Sequence, residues 1–300
     1  MQRRAGVLHE AQATGRIIKP DLPAGAARFL SRQRFAVASS LDPSGRVWAS
    51  LLTGPAGFIT AIDPQLLLLT AHPSDADPLV CTLAARPELG LLVLDPATRQ
   101  RMRFNGRGLL SPEGVFLLVD QVYGNCPKYI QKRRLEADEP RVAQSPTRVT
   151  ASLDVEQQAA IERADTFFIA SFHPEGGADA SHRGGFPGFV RVEGPDRLRF
   201  DDYPGNGMFN TLGNLVAYPR AGLLFMDFVT GDLVQATGST DVRTDFGVTF
   251  RIEEVRSTPG GSPLRYEFVE YSPANPALSH VAASGISSTE PDASGERSTR

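Results

Sequence analysis

An internal repeat is the feature that most constrains how this chain can fold. The segment Phe35-Ala-Val-Ala-Ser-Ser resembles Phe167-Phe-Ile-Ala-Ser-Phe, 132 residues further on. The segment Pro87-Glu-Leu-Gly-Leu-Leu-Val-Leu-Asp resembles Pro219-Arg-Ala-Gly-Leu-Leu-Phe-Met-Asp at the same offset. The offset holds without a gap between these two matches, and it far exceeds the roughly 20–50 residues of solenoid repeats. The sequence therefore predicts two copies of one domain.

Each copy begins with a short helix and continues with apolar runs that end at turns. The predicted helices are Pro23–Gln33 and Val155–Ala164; in the second, Asp154 and Gln157 have the spacing of a capping box. About five or six short apolar runs follow in each copy, separated by turns rich in Gly and Pro. Because these runs do not alternate with long helices, a parallel α/β sheet is disfavoured. We therefore expect a mainly β fold, in which each copy is a small β-barrel with short helices.

The repeat and the local composition together predict five segments. Residues 1–34 are expected to be helical, residues 35–132 to form the first barrel and residues 151–275 the second. Residues 133–150 are polar and are predicted to link the two barrels. From residue 276 to 300 we expect a disordered tail, because its mostly polar composition cannot bury a core.

The overall composition excludes several functional classes. The formal net charge of −3 argues against a nucleic-acid-binding protein, and no apolar run approaches the roughly 18 residues of a membrane span. The N-terminus has no apolar stretch typical of a signal peptide. Cys81 and Cys126 do not make a disulfide framework, and the histidines have no metal-ligand spacing. We therefore expect a cytoplasmic protein without a metal site.

Four segments carry a more specific pattern. They are Gly45–Gly54, Asp120–Gln131, Ser181–Val190 and Phe209–Leu215 with its continuation to Gly238. Together they resemble the pyridoxamine 5'-phosphate oxidase-like family of FMN-binding split barrels, in particular its uncharacterised tandem members. The resemblance implies six-stranded split barrels, a bound FMN and redox chemistry. Because such barrels usually dimerise around FMN, it also implies that the two copies form an intrachain pseudo-dimer; whether this pairs again into a homodimer stays open.

The chain departs from the vitamin B6 oxidase pattern at two places. Tyr271–Pro276 stands where those enzymes have an Arg-Leu-Ala-Pro segment that helps to hold the substrate phosphate. Phe209-Asn210-Thr211 stands in place of their basic Ser-Arg-Lys run. The resemblance therefore does not imply pyridoxamine phosphate as the substrate.

The second copy has the residue types that an FMN phosphate requires. Arg183 can grip a phosphate with two hydrogen bonds, and a following glycine lets backbone N–H groups approach it. Gly205–Asn214 opens a predicted helix, whose N-terminus favours an anion. The candidate FMN contacts of the second copy are Ser181, His182, Arg183, Gly184, Asn206, Asn210, Thr211, Asn214 and, for the polar edge of the flavin, Gln235.

The first copy lacks these groups at the corresponding positions. Leu51 replaces Arg183, and Pro78 and Leu79 replace Asn210 and Thr211. We therefore expect a degenerate first barrel that supplies only the opposite wall of the FMN site. The candidates for that wall are Tyr123, Asn125, Lys128 and Tyr129.

Two groups of side chains suggest chemistry beyond phosphate binding. His182 is the predicted catalytic residue, because an imidazole whose pKa lies near neutrality can act as a general acid; a structural hydrogen-bonding role is the alternative. Arg99, Arg101 and Arg103 alternate and therefore share one strand face. That face is interpreted either as solvated or as the binding site of an anionic partner.

These observations favour an FMN-dependent oxidoreductase that acts on an unidentified small molecule. A reduced nicotinamide or a reduced deazaflavin is the expected electron donor. Two alternatives stay open: a non-catalytic flavin-binding carrier or sensor, and a ligand-free scaffold for protein contacts.

Overall fold

The computed structural model describes residues 1–124, 126–138, 146–205 and 207–277, without the side chains of residues 10, 11, 137 and 138. The helices of these residues are α1 (Leu8–Gly15), α2 (Ala26–Leu30), α3 (Pro78–Ala85), α4 (Val155–Arg163) and α5 (Asn210–Ala217). None of them is both long enough and apolar enough to cross a lipid bilayer. The predicted capping box of α4 is confirmed: the Asp154 carboxylate accepts from the Gln157 backbone N–H, and the Gln157 side chain accepts from that of Asp154.

The first antiparallel sheet has seven strands in the order β2-β1-β5-β6-β7-β4-β3. Its strands are β1 (Phe35–Leu41), β2 (Val47–Thr53), β3 (Ile59–Asp63), β4 (Leu66–Leu69), β5 (Glu88–Asp95), β6 (Gln100–Ser111) and β7 (Gly114–Gly124). Every strand contributes to one hydrophobic cluster that includes Ala38, Leu52, Phe104 and Leu117. The sheet therefore curves around its own core.

The second antiparallel sheet follows the order β11-β10-β14-β15-β16-β13-β12 and thus matches the first, strand for strand. Its strands are β10 (Thr166–His173), β11 (Gly177–Gly184), β12 (Val190–Gly194), β13 (Arg197–Asp201), β14 (Arg220–Met226), β15 (Leu233–Val242) and β16 (Gly247–Thr258), with β9 (Arg148–Thr150) paired to β16. The prediction of five or six strands per copy was too low. The edge strands β3 and β12 each bury only their first residue completely, so they leave little apolar alternation in the sequence.

A third hydrophobic cluster joins the two sheets. It combines β1 and β2 residues such as Val37 and Ala49 with β10 and β11 residues such as Ala170 and Ala180. The sheets approach so closely that glycine is required at two equivalent places. A Cβ on Gly90 would lie 2.5 Å from the Ala178 carbonyl oxygen, and one on Gly222 would lie 2.7 Å from the backbone of β2. The two halves therefore contact each other through equivalent parts of their surfaces.

The segment predicted to link the copies contains a strand. Residues Lys132–Asp138 form β8, which pairs with β17 (Leu264–Glu270) in a separate two-stranded sheet. The sequence did not predict this strand, because its residues are mostly polar and lack the alternation of a half-buried strand. Its pairing partner is more than a hundred residues away in the chain. The predicted tail lies outside the described residues from position 278 onwards.

Candidate functional site

A cavity of about 420 Å³ lies between the two halves. The first half contributes Arg101 and Arg103 on β6 and the segment after β7; the second contributes β11, the end of β13 and the start of α5. Ala5 and Val7 of the N-terminal segment also line it. Neither half therefore forms the cavity alone.

The start of α5 faces the cavity without a side-chain cap. The preceding residue, Phe209, has a left-handed backbone (φ 55°) and no side-chain acceptor for the first N–H groups of the helix. Phe209, Asn210 and Thr211 line the cavity. Uncapped N–H groups at a helix start carry a partial positive charge and favour an anionic ligand.

A buried hydrogen-bond network connects Asn210 of the second half to Tyr123 of the first half. The Asn210 Nδ2 group donates to the Tyr123 hydroxyl at 2.8 Å, and that hydroxyl donates to Asp179 Oδ1 at 2.9 Å. Burial and the Asp179 charge both raise the pKa of Tyr123, so it remains a donor. Asn105 Nδ2 donates to the same Asp179 oxygen at 3.2 Å. The network fixes α5 relative to β6 and β7.

Ser181 connects this network to a buried arginine. Its hydroxyl accepts from Arg103 Nη2 at 2.6 Å and from Thr211 Oγ1 at 2.9 Å, and it donates to Asp179 at 3.1 Å. Arg103 Nε donates to the Ala180 carbonyl oxygen at 2.9 Å. Arg103 is fully buried, yet the neighbouring Asp179 charge keeps its pKa above the usual value. This arginine is therefore charged and already satisfied by the protein.

Arg101 lies in the same cavity but lacks such partners. Its Nη1 group approaches His182 Nδ1 at 3.2 Å, while its Nε is buried without a hydrogen-bond partner. Among the residues that the structure describes, none pairs a carboxylate with Arg101. Burial, followed by the charges of Arg103 and Arg183, lowers its pKa to about 9. A buried cation without a counter-charge is costly, and an anionic ligand would relieve that cost.

Arg183 also lines the cavity, and only some of its guanidinium donors have hydrogen-bond partners. Its Nη2 group pairs with Asp202 Oδ1 at 2.8 Å and Nη1 donates to the His182 carbonyl oxygen at 3.2 Å. Its Nε is buried without a partner, as in Arg101. Three arginines and Lys128 thus line one cavity together with the uncapped start of α5, and, among the described residues, the two carboxylates that also line it are those of Asp201 and Asp202.

His182 is a neutral imidazole in this environment. Burial lowers its pKa well below 6.5, and the charges of Arg101 and Arg183 add to this effect. Since arginine can only donate, Nδ1 of His182 accepts from Arg101 and the ring proton is on Nε2. The prediction of a general acid assumed that the pKa of His182 lies near neutrality, whereas burial and these charges lower it. In the structure His182 accepts a hydrogen bond from Arg101.

The cavity also offers flat apolar surfaces. Tyr129 and Tyr203 have ring centroids 5.3 Å apart, and Phe209 and Phe246 lie 5.4 Å apart. All four line the cavity. A planar ring could pack against these side chains while charged groups bind its polar substituents.

The structure gathers most of the predicted site residues but not all. Those lining the cavity are His182, Arg183, Gly184, Asn210, Thr211, Lys128 and Tyr129. Ser181 lies directly behind it, and Asn214 instead donates to the Ser171 hydroxyl at 3.0 Å. Asn206 and Asn125 lie outside the described residues.

Gln235 is placed away from this cavity. Its Nε2 group donates to the Ala49 carbonyl oxygen at 2.9 Å and to Asp77 Oδ2 at 3.1 Å, both in the first half. The prediction placed Gln235 at the flavin because it lies in the second copy. In the structure β15 reaches across to the first half, so the equivalent position facing the large cavity is Arg103 of β6.

Arg101 and Arg103 are the main site residues that the sequence argument did not assign. Their alternation on one strand face was the available signal, and the anion-binding interpretation of that face agrees with their position in the cavity. Arg99, the third member, points elsewhere: its Nε donates to the Ile130 carbonyl oxygen at 2.9 Å. Nothing in the sequence pattern indicated Tyr203, Phe246 or the N-terminal segment.

Comparisons with known proteins give only distant similarity. No protein-family model matches the chain, and no curated protein matches it. Among solved structures, HupZ of Group A Streptococcus is 10% identical over 34% of this chain and 94% of its own, with a TM-score of 0.29. A proposed pyridoxamine 5'-phosphate oxidase from Lactobacillus delbrueckii is 18% identical over 35% and 94%, with a TM-score of 0.28. An F420 reductase is 12% identical over 32% and 91%, with a TM-score of 0.25. Similarities this weak establish neither a shared fold nor a function.

Proposed function

We propose that this chain is an FMN-binding flavoprotein and an oxidoreductase, built from two tandem split barrels that pair as an intrachain pseudo-dimer. The equal strand order of the two sheets supports the tandem arrangement. The reciprocal close approaches at Gly90 and Gly222 support the pairing, because a two-fold interface uses the same patch on both partners. On this proposal, residues 35–132 and 151–275 are the two barrels.

The observation that carries the proposal is the uncompensated Arg101 in a cavity with an uncapped helix start. FMN supplies what the cavity lacks: a phosphate dianion for the cations and the α5 N–H groups, and a planar ring for the aromatic side chains. The volume of about 420 Å³ lies within the roughly 300–1,000 Å³ of small-molecule and cofactor pockets. The buried, unpartnered Nε atoms of Arg101 and Arg183 are donors that such a ligand would satisfy.

On this proposal, the polar residues of the cavity have the following roles. FMN supplies hydride or single-electron transfer, which no side chain performs. Arg101 and Arg183 hold negative charge, while Asn210 and Thr211 keep the helix start in place through their bonds to Tyr123 and Ser181. The aromatic side chains exclude water from the ring. A reduced nicotinamide or deazaflavin is the proposed electron donor.

The test is reconstitution with FMN, followed by a matched pair of variants. The wild-type protein should bind FMN saturably, measured as quenching of flavin fluorescence. Arg183→Leu should weaken binding by about 100-fold, because a charge-assisted contact to phosphate is lost. Arg220→Leu is the control: Arg220 is also a strand arginine paired with a carboxylate, that of Glu253, but neither residue lines the cavity. Equal binding by both variants, or no binding by the wild type, would refute the proposal.

A non-catalytic flavin carrier or sensor is the second candidate function, and the state of His182 favours it. The imidazole is neutral near pH 7 and engaged with Arg101, so it is not poised to donate a proton. Anaerobic mixing of the FMN-loaded protein with NADH, NADPH or a reduced deazaflavin separates the two functions. Rapid bleaching of the flavin absorbance supports the oxidoreductase; a flavin that stays oxidised with all three supports the carrier.

A further inference from the structure

A second, much smaller cavity of about 30 Å³ is the structural counterpart of the large one. Most of its lining residues lie 132 positions from residues that line the large cavity. Leu233 and Gln235 correspond to Arg101 and Arg103, and Leu51 corresponds to Arg183. It too is formed by β15 of one half and by β2 and the start of α3 of the other. The molecule thus contains two equivalent sites, of which one is nearly closed.

The closed site lacks the basic residues of the open one. None of the arginines of the open site has a basic counterpart: their equivalents are two leucines and a glutamine, and the equivalent of Lys128 is Gly260. Instead, the closed site contains a carboxylate, that of Asp77. Its equivalent in the open site is Phe209, the uncapped residue before α5.

Asp77 does for α3 what an anionic ligand would do for α5. Its Oδ1 accepts from the Leu79 N–H at 2.8 Å, which caps α3, and from the Ser50 hydroxyl. Its Oδ2 accepts from Gln235 Nε2 at 3.1 Å, across the interface. A helix N–H group, a β2 side chain and a β15 side chain therefore all converge on this carboxylate. In the open site the corresponding groups are the α5 start, His182 and Arg103.

We propose that the Asp77 carboxylate is the built-in occupant of a second anion site, and that this site, which also lacks the cations of the open one, takes no FMN. The inference rests on the proposed function in that FMN is taken as the ligand of the open site. The carboxylate fills the position at the helix start that a phosphate would need, and any phosphate there would meet its negative charge. One half of the protein therefore carries, as a side chain, the acidic group that the other half takes from solution. Burial raises the pKa of Asp77, and the hydrogen bonds from Ser50, Leu79 and Gln235 oppose that shift by favouring the charged form.

The direct test transplants this carboxylate into the open site. Phe209→Asp puts a carboxylate at the sequence position that corresponds to Asp77, directly before α5, and aspartate tolerates the left-handed backbone at 209 (φ 55°) better than most residues. Phe209→Asn is the matched control, because it loses the same contact with Phe246 and can also cap a helix, but it brings no charge. We expect Phe209→Asp to bind FMN on the order of 100-fold more weakly than Phe209→Asn. We also expect its melting temperature without FMN to be higher, because its carboxylate adds a negative charge to the cavity that Arg101 and Arg183 line.

The outcomes separate this inference from the proposed function. Equal FMN affinities of the two Phe209 variants, or two FMN molecules bound per wild-type chain, would overturn the inference while leaving FMN binding intact. If the wild type binds no FMN, the proposed function fails, and the melting temperatures decide the inference: a more stable Phe209→Asp supports an internal anion, and equal stabilities reject it. Asp77→Asn should still bind one FMN, since no cation replaces the carboxylate.

Discussion

Replacing Arg101 by leucine should make the free protein more stable and its ligand binding weaker. Leucine is the residue at the equivalent position 233, so the fold accommodates it at this place in the sheet. Burial lowers the pKa of Arg101 to about 9, far below the usual value of an arginine. At 1.36 kcal/mol per pKa unit, keeping the charged form in the folded protein costs roughly 5 kcal/mol, an upper limit.

The Arg101→Leu variant also loses one stabilising contact, so the increase in its free energy of unfolding is smaller than this limit. His182 Nδ1 loses its donor, which costs about 1 kcal/mol for an ordinary hydrogen bond. The net stabilisation should still be a few kcal/mol, and at roughly 2–4 °C per kcal/mol the melting temperature should rise by several degrees. The loss of a charge-assisted contact of about 2–3 kcal/mol should weaken FMN binding roughly 30–100-fold.

Scanning calorimetry of the FMN-free protein and a fluorescence titration with FMN measure both effects. Arg103→Leu is the control on the same strand face. It leaves the buried Asp179 carboxylate without its cation, so its melting temperature should fall, in line with about 3–5 kcal/mol for a broken buried pair. The reasoning is refuted if Arg101→Leu lowers the melting temperature as Arg103→Leu does, or if it leaves FMN affinity unchanged.

Three further predictions follow from the geometry. Gln235→Leu should leave FMN affinity within about two-fold of wild type and lower the melting temperature, because its amide serves Asp77 rather than the large cavity; a large loss of affinity in the titration would contradict this placement. The pKa of His182 is lower in the folded protein than in the unfolded chain, so only the unfolded chain gains the proton as pH falls below about 6.5. Stability in urea should therefore decline below that pH, and His182→Asn should decline less steeply; parallel curves would show that His182 is not the group responsible. Gly222→Ala should destabilise the protein by about 2 kcal/mol or more in urea unfolding, because its Cβ would lie 2.7 Å from the backbone of β2; an unchanged midpoint would mean that the two halves are not tightly packed there.

The sequence predicted local features well where one segment contains all the information. The capping box of α4 needs only Asp154 and Gln157, and the segment Gly205–Asn214, predicted to open a helix, contains the start of α5 at Asn210. The offset of 132 also matches the spacing of equivalent strands in the two sheets, such as β1 and β10. These features depend on residue type, periodicity and near neighbours.

The site residues were harder to predict because side chains on a strand of each half contact the other half across the interface. The repeat shows that Gln235 and Arg103 are equivalent, but not that each one faces the other half. That crossing follows from how β6 and β15 pack against β11 and β2, a property of tertiary structure. The state of His182 was hidden for the same reason, since its pKa depends on arginines about 80 residues away in the chain.

The central claim is that one open, basic site between the halves binds FMN. The most direct measurement is an equilibrium titration of the FMN-free protein with FMN, followed by flavin fluorescence and extended well beyond saturation. We expect a single transition that saturates at one FMN per chain, with an affinity that is markedly lower in Arg101→Leu. Saturation at two FMN molecules per chain, or no saturable binding, would contradict it.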